Sequence, residues 1–321
     1  MNRFAGLAAL AALCVATSPA FAEFPERDIR VIVPWGAGGG ADAIGRKIMS
    51  IAERELPVSI YVENLEGGVT SIGVNALMAA PADGYTVGAL TYDSVVTVPW
   101  EKILPGYSLD RLDMLALVTS EPNALMVGRG TYDTFDEVIA AAKAAPGEIK
   151  VGIQGLGSMT HISLLQLEDA MDVKFRTVTY PGGSGAQREA ILSGEVEAVV
   201  TSLGDFAPLL SSGDAKGLVE FSDARNQGFP DVPISADFGL DLVNGSFMLF
   251  AVPAGTPAAA ADLLASAIET AWKSDEFQDW TAQVGVAASW MNAEDVTAFT
   301  RQYQSDIFGI LTDLTERGVI E

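Results

Sequence analysis

The stretch VIVPWGAGGGAD, Val31 to Asp42, passes from a β-branched apolar run through four glycines to an acid. The segment after it, ADAIGRKIMSIAEREL, has the apolar spacing of an amphipathic helix. Strand, glycine turn and helix together make the opening of an α/β unit. The turn strips Cβ atoms from the backbone just where a helix N-terminus offers unpaired N–H groups and partial positive charge. Such a place holds an anion. A nucleotide phosphate and a small carboxylate both fit at this level.

Outward from that stretch the rhythm repeats. PVSIYVEN, YTVGALTY, IKVGIQG, KFRTVTY and VEAVVTS read as strands. Between them SIGVNALMAA, FDEVIAAAKAAP, SMTHISLLQLEDAM and SGAQREAILSG read as helices. The alternation predicts an α/β fold with mostly parallel sheets flanked by helices, and ligands at the carboxyl ends of strands. A second glycine turn, Gln154-Gly155-Leu156-Gly157-Ser158, has YPGGSGA (Tyr180–Ala186) as its companion. Two equivalent mouths predict two lobes facing across a cleft. From Phe247 the pattern changes to FMLFAVPAGTP and three helical segments, a tail expected to pack back on one lobe. Lobe one is therefore expected over 23–124 plus 247–321, lobe two over 125–246, with crossovers near Pro122–Ala124 and Asn244–Phe247 as hinges.

The first residues set an expected compartment. Arg3, an apolar run from Phe4 to Val15 and Ser18-Pro19-Ala20-Phe21-Ala22 form the three regions of a secretory signal peptide, residues 1–22. Its apolar part is too short to span a bilayer. Cys14, the single cysteine, falls inside it, so the mature chain has no disulfide and no thiolate metal site. Of 321 residues, 299 remain after 22 are removed, enough for two cores. Dropping Arg3 leaves 18 basic against 42 acidic residues, a charge of −24. That balance argues against nucleic acid and anionic lipid as partners. It also means that local dipoles must hold any anionic ligand.

The chemical alternatives are weak. Gly36-Ala37-Gly38-Gly39-Gly40-Ala41 satisfies G-x-G-x-x-A, and Glu63 ends the next strand where a ribose-binding acid would stand. Pro34 and Trp35 interrupt the passage from strand to glycine, and an exported protein rarely meets nicotinamide cofactors. His161 is the only histidine, which excludes a multi-histidine metal site. Ser158 and His161 share one turn instead of converging as nucleophile and base, and Ser158 reads better as an N-cap or ligand hydroxyl. The composition calls for no catalytic residues, no metal and no cofactor. Hydroxyls at Ser71, Ser158, Thr160 and Ser184 add donors without charge. Trp35, Leu156, Met159 and Tyr180 supply an apolar rim or core. A branched side chain at Gly39 or Gly157 is expected to fill the place of a bound carboxylate and leave the fold intact.

Several motifs carry a resemblance over nearly the whole mature chain: Pro34-Trp35 with Gly38-Gly39-Gly40-Ala41-Asp42, Val62-Glu63-Asn64, Ile72-Gly73, PADGYT at Pro81–Thr86, Gly155-Leu156-Gly157-Ser158 with His161, YPGGSGA, PDVP at Pro230–Pro233 and VPAGTP at Val252–Pro257. In these the chain resembles the Bug (TctC-like) family of periplasmic substrate-binding proteins of tripartite tricarboxylate transporters. The resemblance implies a flytrap-like, type II two-lobed receptor without catalysis. It would act as a monomer, hold the carboxylate of a small organic acid (a di- or tricarboxylate, an aromatic acid or an amino acid) between its lobes and pass it to a membrane permease. Carried over by motif, the implied contacts in lobe one are Trp35, Gly38, Gly39, Gly40, Ala41, Asp42, Ser71 and Thr91. In lobe two they are Gln154, Leu156, Gly157, Ser158, Thr160, Tyr180, Gly182, Gly183, Ser184 and Asp205. The family's RPGAGGN after Val62-Glu63-Asn64 is replaced here by Leu65-Glu66-Gly67-Gly68-Val69-Thr70-Ser71. A receptor that signals to a membrane sensor is the alternative within the class, and a nucleotide-dependent oxidoreductase the one outside it.

Overall fold

The structure, a computed structural model, describes residues 24–181 and 183–318. The expected signal peptide, Cys14 and Gly182 lie outside the described residues. In chain order the first elements are β1 (Ile29–Val33), α1 (Gly40–Ala52), β2 (Ile60–Asn64), α2 (Ser71–Met78), β3 (Thr86–Thr91) and two single turns, α3 (Tyr92–Val95) and α4 (Thr97–Trp100). Next come β4 (Leu112–Gly128), α5 (Phe135–Ala144), β5 (Lys150–Ile153), α6 (Met159–Met171), β6 (Arg176–Thr179), α7 (Ser184–Ser193), β7 (Ala198–Ser202), α8 (Ala207–Ser212) and β8 (Ala215–Glu220). The chain closes with β9 (Gly245–Pro253), α9 (Ala258–Lys273), α10 (Asp275–Val284), β10 (Ala287–Met291) and α11 (Ala293–Glu316).

The parallel pairs are those the alternation predicts: β1 with β2 and β3, and β5 with β6 and β7. The antiparallel pairs all involve β4 or β9. Strand β4 joins the two groups. Its first part, Leu112 to Pro122, pairs with β9 and β10, and its last part, Asn123 to Gly128, pairs with β7 and β8. The two sheets are thus one continuous ladder, bent where β4 passes from one set of partners to the other.

Helices cover the faces because their apolar stripes demand it. Helix α1 buries Ile44, Ile48, Met49 and Ala52 with Val31, Val33 and Val87 of the first sheet. Helix α9 turns Leu264, Ala267, Ile268 and Ala271 into the same core, and α11 turns Ile307 and Leu311 against the other face of that sheet. The tail therefore packs on the first group of strands. Around the second group, Val138, Leu164, Val200 and Phe221 form a separate core. Among the described residues no helix is long and apolar enough to cross a membrane.

Candidate functional site

Three helices of eight or more residues begin at one cavity. Gly39, Gly40 and Ala41 come from the start of α1, Met159 and Thr160 from α6, Gly183 and Ser184 from α7. Trp35, Gly36, Thr91 and Asp93 close the side nearer the first sheet, and Gln154, Thr201, Ser202 and Asp205 the side nearer the second. Glu121, Asn123 and Ser246 form the floor where β4 crosses from β9 to β7. The space amounts to about 590 Å³, counted out to its mouth.

The indole of Trp35 is buried and fixed by its Nε1–H, which donates to Thr91 Oγ1 at 3.0 Å. Its ring lies against Gly183, where a Cβ would stand 3.5 Å away. Across the cavity, the Asp205 carboxylate reaches the first residue of α1. A Cβ on Gly40 would collide with Asp205 Oδ1, so only glycine allows this approach. Asp205 Oδ2 accepts from Thr201 Oγ1 at 2.6 Å. Arg188 clasps the same edge, donating to the carbonyl oxygens of Asp205 (2.6 Å) and Gly38 (3.1 Å).

A buried acid, Asp93, and a partly buried one, Glu121, line the cavity with perturbed protonation. Burial pushes Asp93 up to about 6, against hydrogen bonds from the Thr97 hydroxyl and the Met159 backbone. Burial, and then the neighbouring charge of Asp205, pushes Glu121 up to about 7, against a hydrogen bond from Thr119. No Lys, Arg or His lines the cavity among the described residues. Nor is there, among them, a group of three His, Cys, Asp or Glu able to hold a metal ion.

Of the residues implied by motif, Trp35, Gly39, Gly40, Ala41, Thr91, Gln154, Thr160, Gly183, Ser184 and Asp205 stand in this wall. Gly38 lies in the adjoining groove with Arg188. The others are placed elsewhere, each for a physical reason. Asp42 builds the loop: it accepts from Gly38 N–H (2.9 Å), Arg46 Nε (2.8 Å) and Asn64 Nδ2 (2.9 Å). Burial alone would raise its pKa, but these three bonds outweigh that and hold it below the usual carboxylate range. Ser71 opens α2 away from the cavity, buried beside Gly68. Leu156 is 62% exposed. Ser158 is fully buried as the N-cap of α6, donating to the Gly155 carbonyl and accepting from His161 N–H. Tyr180 packs against Gly152.

Gly157 requires a correction. It has φ +73° and sits against Glu101 outside the cavity wall, so a valine there strains the turn instead of filling a ligand's place. Its N–H donates to His161 Nδ1 at 3.0 Å, which leaves the imidazole neutral, and burial lowers its pKa to about 4. That ring supports a turn and does not activate Ser158.

Asp93, Glu121, Asn123, Thr201, Ser202 and Ser246 were missed as wall residues. Strand ends carry Thr201 and Ser202, and a polar residue inside the apolar run LALVTSEPNALMV carries Glu121. The first signal is legible in the strand VEAVVTS itself, and the second once β4 is known to be a strand.

The family profile for the tripartite tricarboxylate transporter family receptor, TctC, matches residues 44–312. The chain belongs to the TctC family. A UPF0065 protein of Cupriavidus necator is 27% identical over 299 residues, covering 92% of this chain and 90% of the relative. A TctC solute-binding protein from Polaromonas, solved without ligand, is 26% identical and superposes with a TM-score of 0.68 over 91% of this chain and all of its own. MatC from Rhodopseudomonas palustris with bound malate shares the fold at TM-score 0.80 and 22% identity, over 88% of this chain and 98% of MatC. TctC proteins are substrate-binding receptors, not enzymes, which removes the oxidoreductase reading. The structure gives a second reason: Glu63, the acid a bound ribose needs, is paired with Arg30 at 2.6 Å.

Proposed function

We propose that this TctC-family receptor captures a small carboxylate-bearing organic solute in the cavity between its two groups of strands. In this reading the chain acts in the periplasm after loss of residues 1–22 and passes its cargo to the membrane subunits of a tripartite transporter. Residues 23–124 with 247–321 form one lobe and 125–246 the other, hinged where β4 and β9 run side by side.

The observation that carries the reading is the convergence of the α1, α6 and α7 N-termini on one cavity, from elements on both sides of the β4 crossing. N-terminal amides stabilise an anion without a basic side chain. A solute touching both sides binds the closed arrangement better and shifts the hinge by that difference. Strong closure needs roughly 5 kcal/mol, which two or three charge-assisted hydrogen bonds of about 1.5–3 kcal/mol each supply.

The test is a thermal-shift screen of the mature chain against organic acids, followed by calorimetry and small-angle scattering. An acid that raises Tm and contracts the particle is expected. A ligand that binds without contraction, or no ligand among organic acids, would overturn the reading.

A further inference from the structure

The cavity of this receptor is negatively charged by its own side chains. Asp93, Glu121 and Asp205 all face it, and among the described residues none of the three takes part in an ion pair. The nearest guanidinium, that of Arg188, is bonded to backbone carbonyls. One of the three helix N-termini at the cavity is already matched by a carboxylate of the chain. Asp93 accepts from the backbone of Met159, the first residue of α6. The Asp205 carboxylate stands where a Cβ on Gly40, the first residue of α1, would be, with no hydrogen bond from the α1 amides among the described residues. The start of α7 at Ser184, with no side-chain cap and with Trp35 against Gly183, is the one farther from such a carboxylate contact and is assigned to a ligand carboxylate. Glu121 is left over with the opposite need: it accepts from the Thr119 hydroxyl at 2.8 Å and has Asp205 as its charged neighbour.

We propose that the solute is an amino-carboxylate of net charge zero or +1, its carboxylate at the α7 N-terminus beside Trp35 and its protonated amine between Glu121 and Asp205. The proposal rests on the receptor reading above and narrows the ligand class. A dianion would bring its second charge toward three carboxylates, at a cost of several kcal/mol for like charges held close out of water. An ammonium instead neutralises acids that share the cavity with no basic side chain in its wall. A metal cation does not fit in its place, because the three acids do not gather into a metal site among the described residues. An organic cation, whose charge stands some ångströms from its own carboxylate, bridges the gap.

The test is calorimetry at pH 7.5 on the mature chain with two sets of probes. One set holds neutral and basic α- and ω-amino acids, with butylamine and butyrate as single-charge controls. The other holds malate, succinate, adipate and citrate. An amino-carboxylate is expected to bind best, to lose at least about tenfold in affinity in Glu121→Gln, and to retain most of it in Glu121→Asp, which keeps the charge. Thermal melts of each variant establish that it is folded. A dicarboxylate tighter than every amino-carboxylate, or amino-acid binding indifferent to Glu121→Gln, overturns the proposal while the receptor reading stands. Butylamine binding as tightly as the amino acid overturns the carboxylate half, and failure of both sets removes the receptor reading too.

Discussion

At Gly39 the backbone has φ −78°, and a Cβ would stand 3.4 Å from the Gly36 carbonyl oxygen and 3.7 Å from Ser184 Oγ. Any L-residue adopts that conformation, and the space is the cavity's own. Gly39→Val is therefore expected to weaken solute binding by at least about tenfold, roughly one lost charge-assisted hydrogen bond, with Tm unchanged. Gly157→Val should do the reverse. Its left-handed backbone and the Glu101 contact predict a loss of about 1–3 kcal/mol in urea unfolding, with a smaller effect on affinity in the folded fraction. Glu121 has its own signature. Its pKa is raised in the folded protein, so the native state holds a proton that the unfolded chain releases near 4.5. Stability from this group is complete below that value and falls as pH rises through about 7. Glu121→Gln should leave stability at pH 5 nearly unchanged and raise it by about 1–3 kcal/mol at pH 8, read from paired urea titrations.

Helix starts matter more than helix interiors in this molecule. The first residues of α1, α6 and α7 line the cavity, while side chains that hold the turns of α1 and α6 lie outside its wall. Ser158 is the clearest case: buried, bonded to Gly155 and His161, and absent from the cavity wall. Ser158→Ala is expected to cost about 1 kcal/mol through the lost cap, with affinity falling only as far as the α6 start shifts. Hydroxyls at a helix start look alike in a sequence whether they cap the helix or meet a ligand. The backbone direction that separates Ser158 from Thr160 is set by the His161 ring beneath the turn. The βαβ units were legible because their periodicity is local. Strand β4 was not read, because its seventeen residues pair only with partners distant in the chain and its polar Ser120-Glu121 interrupts the pattern.

At the scale of the whole molecule polar bonds tie the two sides of the cavity, among them Arg188 to the Gly38 carbonyl, Thr97 Oγ1 to the Gly157 carbonyl, Asn226 to the Gly285 carbonyl and the Arg317–Asp169 ion pair at 2.8 Å. Arg188→Ala removes one of these bonds together with the bond to the Asp205 carbonyl in the cavity wall. The expected result is a three- to tenfold loss of affinity, about 0.5–1.5 kcal/mol, with a more open ligand-free particle in small-angle scattering.

Taken alone, the residues determined the α/β units, the glycine turns, the acidic charge that argues against nucleic acid and the family motifs. Tertiary structure alone decided which turn residues face the cavity, that Asp42 and Ser158 build turns, and that Asp93, Glu121 and Asp205 meet in one place. Those three acids are far apart in the chain, and their shared field exists only after β4 has crossed between the sheets.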